Sequence, residues 1–241
     1  MTLMDAIPDS SPKGNAKVTR EDWLKLAGEV LIERGVSQVK VLTLANRLGV
    51  SRSSFYWYFR SRKDLLDQLL EGWEGRNTRA VLDHAARPAG NICRAVMHLF
   101  ECFIDPGQFD PRLDFAVREW ARLSPLIRAR LDAADAARAN AIRDMFLRHG
   151  YEETEAVTRA RIIYFMQIGY YALVENEPFE TRFSMLQPYL AAFTGEEPDP
   201  AEMWRFLEVA RGLLAKRGES VRHGCRASGS IHPERGGVRG G

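Results

Sequence analysis

The sequence has no apolar run approaching the ~20 residues that a bilayer-spanning helix requires. Its longest apolar stretch, Ile162 to Val174, is short and interrupted by Gln167 and Gly169, so no membrane partner is expected. The opening MTLMDAIPDSSPKG has no apolar segment behind a basic start, and no secretory leader is expected. Cysteine is scarce. Cys93, Cys102 and Cys225 are odd in number and lack metal-ligand spacing, which argues against a disulfide framework or a metal site and fits a reduced, cytoplasmic setting. There is no Gly-x-Ser-x-Gly, no His-x-x-x-His, no Gly-rich phosphate loop and no Cys-x-x-Cys, and the five histidines lie far apart. Neither catalysis nor a cofactor is therefore expected. Alternating strand patterns and internal repeats are missing too, which leaves an all-α chain.

What is present is 241 residues with 45% apolar content, enough for a helical core. The net charge of +2 hides an uneven distribution. Residues 216–241 hold six basic and two acidic side chains, so residues 1–215 carry a net −2. Inside that near-neutral body the basic charge is concentrated. Arg47, Arg52, Arg60, Arg62 and Lys63 fall in one stretch without a carboxylate, the footprint expected where nucleic acid is bound.

The helices can be read from caps and periodicity. Residues 1–18, with Pro8, Pro12 and Gly14, form a flexible arm. Thr19 and Asp22 make a capping box, Trp23, Leu26, Ala27, Val30 and Leu31 line one face, and Gly35 ends the helix. A second helix is expected from Val41 to Leu48, closed by Gly49, and a third from Ser51 to about Phe59. The short turn between them forces a steep crossing. Ser61, with Asp64 as reciprocal partner, opens a fourth helix striped by Leu65, Leu66, Leu69, Leu70 and Trp73. Further helices are expected over 88–104, 110–122, Pro125 to His149, Glu152 to Asn176, Glu180 to Phe193 and Ala201 to Lys216. The division is an arm (1–18), a three-helix helix-turn-helix domain (19–66), a helical ligand-binding and dimerisation domain (67–216) and a basic, disordered tail (217–241).

On a wheel of ~100° per residue, Phe55 and Phe59 point inward with Tyr58 and Ser51 beside them. Ser53, Trp57 and Arg60 point outward, flanked by Ser54 and Tyr56. Ser51 and Arg52 sit at the positive end of that helix, where a phosphate is favoured. Arg52, Ser53, Ser54 and Trp57 are the candidates for base edges, and Tyr56, Tyr58, Arg60, Arg62 and Lys63 for phosphates.

The stretch Leu44 through Leu66, including GVSRSSFYWYFRSRKDLL, resembles the TetR family of bacterial transcriptional regulators. The likeness covers about Thr19 to Leu70. It implies a homodimer with a DNA-binding head, a ligand-binding body and backbone contacts from Tyr56 and Tyr58, with Arg62 at the phosphate-facing start of the fourth helix. Where the family often has His after the aromatic pair, this chain has Tyr58, a phenol that donates without carrying charge.

Two further sets of residues follow for the body. Ala160, Ile163, Gln167, Tyr170 and Val174, with Phe183, Leu186 and Leu190, are candidates for a four-helix joint between subunits, their other possible place being the intrachain core. His98, Phe100, Phe103, Phe115, Trp120, Met145, Phe165 and Met166 are candidates for an apolar small-molecule pocket. The expected partners are double-stranded DNA with a palindromic operator, a second copy of the chain and a small-molecule effector. The expected function is a sequence-specific regulator, a repressor released by its effector. The alternatives are a ligand-responsive activator or a helical enzyme or interaction protein keeping the same head.

Overall fold

Thr19 begins the fold as its composition predicts. In a computed structural model, which describes residues 18–173 and 178–227, its hydroxyl accepts from the Asp22 amide at 3.2 Å and the Asp22 carboxylate accepts from the Thr19 amide at 2.8 Å. Those bonds hold the Asp22 carboxyl below its usual range, the backbone bond first. The arm expected over 1–18 lies almost wholly outside the described residues.

The chain divides into two units at Leu69 and Leu70. In the first, α1 (Arg20–Arg34) buries Trp23, Leu26, Ala27, Val30 and Leu31, the predicted face. It ends at Gly35, whose φ of 78° suits a residue without Cβ. After a 3-10 turn, α2 (Val41–Leu48) buries Leu44 and Ala45 and stops at left-handed Gly49.

α3 (Arg52–Phe55) is shorter than expected. Tyr56, Trp57 and Tyr58 donate to Ser53, Ser54 and Phe55 three residues back, so the chain tightens instead of continuing as an α-helix. The serines explain this: the Ser54 hydroxyl takes the Ser51 carbonyl at 2.7 Å and the Ser51 and Ser53 hydroxyls bond each other at 2.8 Å. Such local bonds compete with helix, and aromatic residues propagate it poorly. Four residues also sum to little dipole, so the favourable helix end expected at Ser51 and Arg52 is slight.

α4 (Arg62–Trp73) carries the predicted stripe, with Leu65, Leu66, Leu69, Leu70 and Trp73 all buried. Ser61 caps it by accepting from the Asp64 amide at 3.1 Å. The Asp64 carboxylate reaches one residue further back than expected, to the Arg60 amide at 2.8 Å.

In the second unit the helix continues through a wide π turn (Glu74–Thr78) into α5 (Arg79–Ala85). There follow α6 (Ile92–Ile104), capped by Asn91; α7 (Pro111–Ala121), capped by Asp110; α8 (Pro125–Arg148), opened by Pro125 and followed by Gly150; and α9 (Glu153–Ala172). α6 is buried almost all round, through Ile92, Cys93, Val96, Met97, Leu99, Cys102 and Phe103. The longer segments close on it, with Ile142, Met145 and Phe146 of α8 and Ala160 and Ile163 of α9 in the same core.

Two further differences from the sequence reading lie toward the C-terminal end of the described residues. The single helix expected over 180–193 is two, α10 (Phe179–Ser184) and α11 (Leu186–Thr194), broken at Met185. Pro188 is the cause: it has no N–H for the Ser184 carbonyl, and its ring would crowd that oxygen. α12 (Pro200–Ala227) runs past the expected end at Lys216 into the segment expected to be disordered. Among the described residues there is no strand.

Candidate nucleic-acid interface

The head places the two phenylalanines inside. Phe55 and Phe59 are buried and stacked at 5.1 Å, with Trp23 edge-on to Phe55 at 5.3 Å. Holding both rings inward turns the intervening residues out. Trp57 is 75% exposed and Tyr56 51%, and Arg52, Ser53 and Arg60 are exposed as well, with Ser54 half-buried. Arg52 has a long contact to the Tyr56 hydroxyl at 3.4 Å, and neither it nor Arg60 has a carboxylate partner among the described residues. Exposed Lys63 pairs with Asp67 at 2.6 Å.

Two of the predicted phosphate holders are occupied within the chain. The Arg62 side chain donates to the carbonyls of Val39 at 2.6 Å and Val36 at 2.5 Å, and the Tyr58 hydroxyl donates to the Val18 carbonyl at 2.8 Å. Both side chains are half-buried. The outward set is thus Arg52, Ser53, Tyr56, Trp57, Arg60 and Lys63.

The body has an open cavity of about 930 Å³, its mouth included. Phe100, Phe103 and Met166, from the expected pocket set, line it. The rest of that set is elsewhere. Met145 is sealed in the core, Phe165 is 54% exposed, and Trp120 packs against the cluster of Trp73, Val117 and Leu131. Phe115 and His98 are half-buried but do not reach the cavity. Burial lowers the pKa of His98, and its Nδ1 has no hydrogen-bond partner among the described residues.

The residues expected between subunits point inward instead. Ala160, Ile163 and Leu190 are core, while Gln167, Tyr170, Phe183 and Leu186 line the cavity. Val174 lies outside the described residues. The reason is periodicity: the more apolar side of α9 packs against its own chain, and the opposite side leaves Ile162 and Phe165 exposed. No helix among the described residues is long and apolar enough to cross a membrane.

The sequence reading missed a buried charge network. Arg138 and Asp114, 0% and 1% exposed, pair at 2.9 Å. Trp73 Nε1 donates to the same Asp114 oxygen at 2.9 Å, and Arg118 meets the other at 3.0 Å while gripping Asp135 with both terminal nitrogens at 2.9 and 2.7 Å. Arg138 also donates to the Thr78 hydroxyl in the π turn at 2.9 Å, and its guanidinium lies 5.1 Å from the Trp73 ring and 5.7 Å from that of Phe109. Burial pushes the Asp114 carboxyl up, but the Arg138 and Arg118 charges and the Trp73 bond outweigh it and hold it below the usual range. Burial pushes the Tyr164 phenol up to about 12, so at neutral pH it stays a donor, to Asp135 at 2.6 Å. Phe109 in turn touches two rings of the cavity wall, Phe103 edge-on at 5.3 Å and Tyr171 stacked at 5.9 Å.

Residues 24–69 match the description "Bacterial regulatory proteins, tetR family". Over 91 residues the chain is 30% identical to the HTH-type transcriptional repressor KstR2 of Mycobacterium tuberculosis, covering 36% of this chain and 46% of that one. Over 93 residues it is 29% identical to the HTH-type transcriptional regulator AcrR of Shigella flexneri, covering 37% and 43%. The chain thus spans about half the length of the curated relatives it matches. In fold it is similar to the solved structure of the ketosteroid transcriptional regulator KstR2 of Mycobacterium tuberculosis, with a TM-score of 0.57 and 19% identity over 75% of this chain and 95% of that one. It is likewise similar to reduced NemR of Escherichia coli, with a TM-score of 0.55 and 19% identity over 75% and 98%. The helix-turn-helix whose geometry is given above thus lies in the stretch, residues 24–69, that matches the tetR family of bacterial regulatory proteins.

Proposed function

We propose that this protein is a sequence-specific DNA-binding transcriptional regulator, a cytoplasmic repressor released by a small-molecule effector. The observation that carries the reading is the outward Trp57 beside Arg52 and Arg60, above an inward Phe55 and Phe59. An indole three-quarters exposed needs a partner surface, and the major groove supplies thymine methyls and base edges. Arg52, Ser53, Ser54 and Trp57 read base edges, and Tyr56, Arg60 and Lys63 hold phosphates. Arg62 and Tyr58 act from inside, by fixing the backbone that carries them. The repressor sense is supported by the likeness to KstR2, an HTH-type transcriptional repressor.

Palindromic half-sites lie one helical turn apart, ~34 Å, so a second copy is required. The subunits join through the exposed apolar side of α9, Ile162 and Phe165, together with Trp204 of α12, in place of the face the sequence suggested. An effector in the cavity acts on Phe103 and Tyr171, then through Phe109 and Arg138 on Trp73 at the end of α4. Its leverage is limited by its differential affinity for the two states.

Gel shift with DNA flanking the protein's own gene tests the reading. Retardation should weaken steeply between ~50 and ~200 mM salt. Arg52→Ala combined with Trp57→Ala should cost at least about tenfold in affinity, equivalent to one good base contact. A folded double variant that grips this DNA like the parent would overturn the assignment.

A further inference from the structure

The cavity's lining carries charge of one sign among the described residues. Phe100, Phe103, Phe193 and Phe206 give it an apolar, ring-rich interior, and among the described residues Arg182 lines it and no Asp or Glu does. The arginines that are buried or half-buried between helices are in several cases matched with carboxylates: Arg118 with Asp114 and Asp135, Arg130 with Glu74, Arg138 with Asp114 and Arg159 with Glu155. Arg182 has no such match among the described residues. It rests 4.4 Å from the centroid of the Tyr170 ring, which leaves the edge of its guanidinium, where the N–H donors are, available. Gln167, which also lines the cavity, is buried, 5% exposed.

We infer that the cavity takes an amphipathic organic acid, with a ring-bearing apolar body among the phenylalanines and a carboxylate held by Arg182. Carboxylate fits because the guanidinium presents paired donors in one plane that match its two oxygens. Stacking on Tyr170 fixes that plane before the ligand arrives, so little side-chain freedom is lost on binding. The aromatic walls favour stacked or edge-on rings in the apolar body. A cationic ligand meets Arg182 with the same sign and finds no lining carboxylate among the described residues. A neutral ligand of the same shape keeps the apolar contacts and forgoes the charged one. The inference rests on the effector reading above and gives it a chemical class.

The test uses the full chain and three probes of one shape: naphthalene-2-carboxylate, naphthalene-2-carboxamide and 2-naphthylmethylammonium, each titrated by calorimetry. The acid should bind about tenfold tighter than the amide, the size of one charge-assisted contact, and the ammonium weakest. Arg182→Gln, at an exposed position, should fold normally, erase the preference for the acid and leave the amide unchanged. Equal affinities for acid and amide in the parent, a preference that survives Arg182→Gln, or no binding of any probe each overturn the inference. Anisotropy of labelled DNA separates it from effector release. An acid that binds through Arg182 and leaves DNA affinity unchanged supports the ligand class and rejects release. Acid and amide that loosen DNA equally support release and reject the ligand class.

Discussion

Asp114→Ala removes the carboxylate that balances two guanidiniums, and its cost can be worked from the geometry. Arg138 is fully buried, and among the described residues the variant leaves it the Thr78 and Tyr164 hydroxyls and the more distant Asp135. Trp73 Nε1 loses its acceptor as well. Breaking a buried pair from one side costs about 3–5 kcal/mol, because the surviving charge stays desolvated. For a unit of this size each kcal/mol is worth roughly 2–4 °C, so the body should melt about 6–20 °C lower. Differential scanning calorimetry of the full chain reads this directly. Removing both charges, as Asp114→Leu with Arg138→Met, should recover most of the loss, since a buried pair and an apolar pair of similar volume are near parity. The pH dependence has a definite sign. The Asp114 carboxyl is lowered from 3.8, so its contribution is present above the unfolded pKa of about 3.9 and is lost as pH falls through the folded value. The gap in melting temperature between parent and Asp114→Ala should therefore be constant from neutral pH to about 4 and close below it. A loss smaller than about 2 °C, less than 1 kcal/mol on the same scale, or a double variant no better than the single one, would refute the argument.

Two further outcomes follow from placement. Arg62→Gln should destabilise the head by about 1.5–3 kcal/mol, the range for charged hydrogen bonds, and leave the salt slope of DNA binding unchanged. A slope smaller by about one with normal melting would instead make Arg62 a phosphate ligand. Phe165→Glu, at a side chain 54% exposed in the single chain, should leave folding intact and convert the proposed dimer to monomers in sedimentation velocity; a variant that sediments like the parent would remove that face from the joint.

The head was legible in the sequence because its signals are local. Thr19 and Asp22, Gly35, Gly49 and Ser61 each act within a few residues, and the inward pairing of Phe55 and Phe59 follows from their four-residue spacing. What could not be read there was where the long side chains end. Arg62 and Tyr58 meet carbonyls at Val39 and Val18, 23 and 40 residues away, and no periodicity encodes such reach. The cavity needs walls from five helices, so only Phe100, Phe103 and Met166 were anticipated, and Arg182 was not. Arg138 was readable in principle. Ile127, Leu131, Ala134, Ile142 and Met145 form the inward stripe of α8, and Arg138 occupies the one position of that stripe held by a charge. A cation at a core position requires an anion nearby, and Asp114 on the apolar segment Leu113–Val117 is the natural candidate. Which side of α9 would meet a second copy was not legible either, because both sides carry apolar residues and spacing alone does not say which side meets its own chain.

The π turn has a geometric consequence for α5. Trp73, Asn77, Val81 and Ala85 are all inward and spaced by fours, whereas an α-helix completes a turn in 3.6 residues and overshoots by ~40° at every such step. Three steps would wind the row about 120° around the axis and carry its far end to solvent. A turn closed by longer i→i+5 bonds holds more residues per revolution, so it takes up part of that overshoot and keeps the row straight. The segment Glu74–Thr78 is in effect a phase corrector, and its length in residues, more than their identity, sets which side chains of α5 face the core.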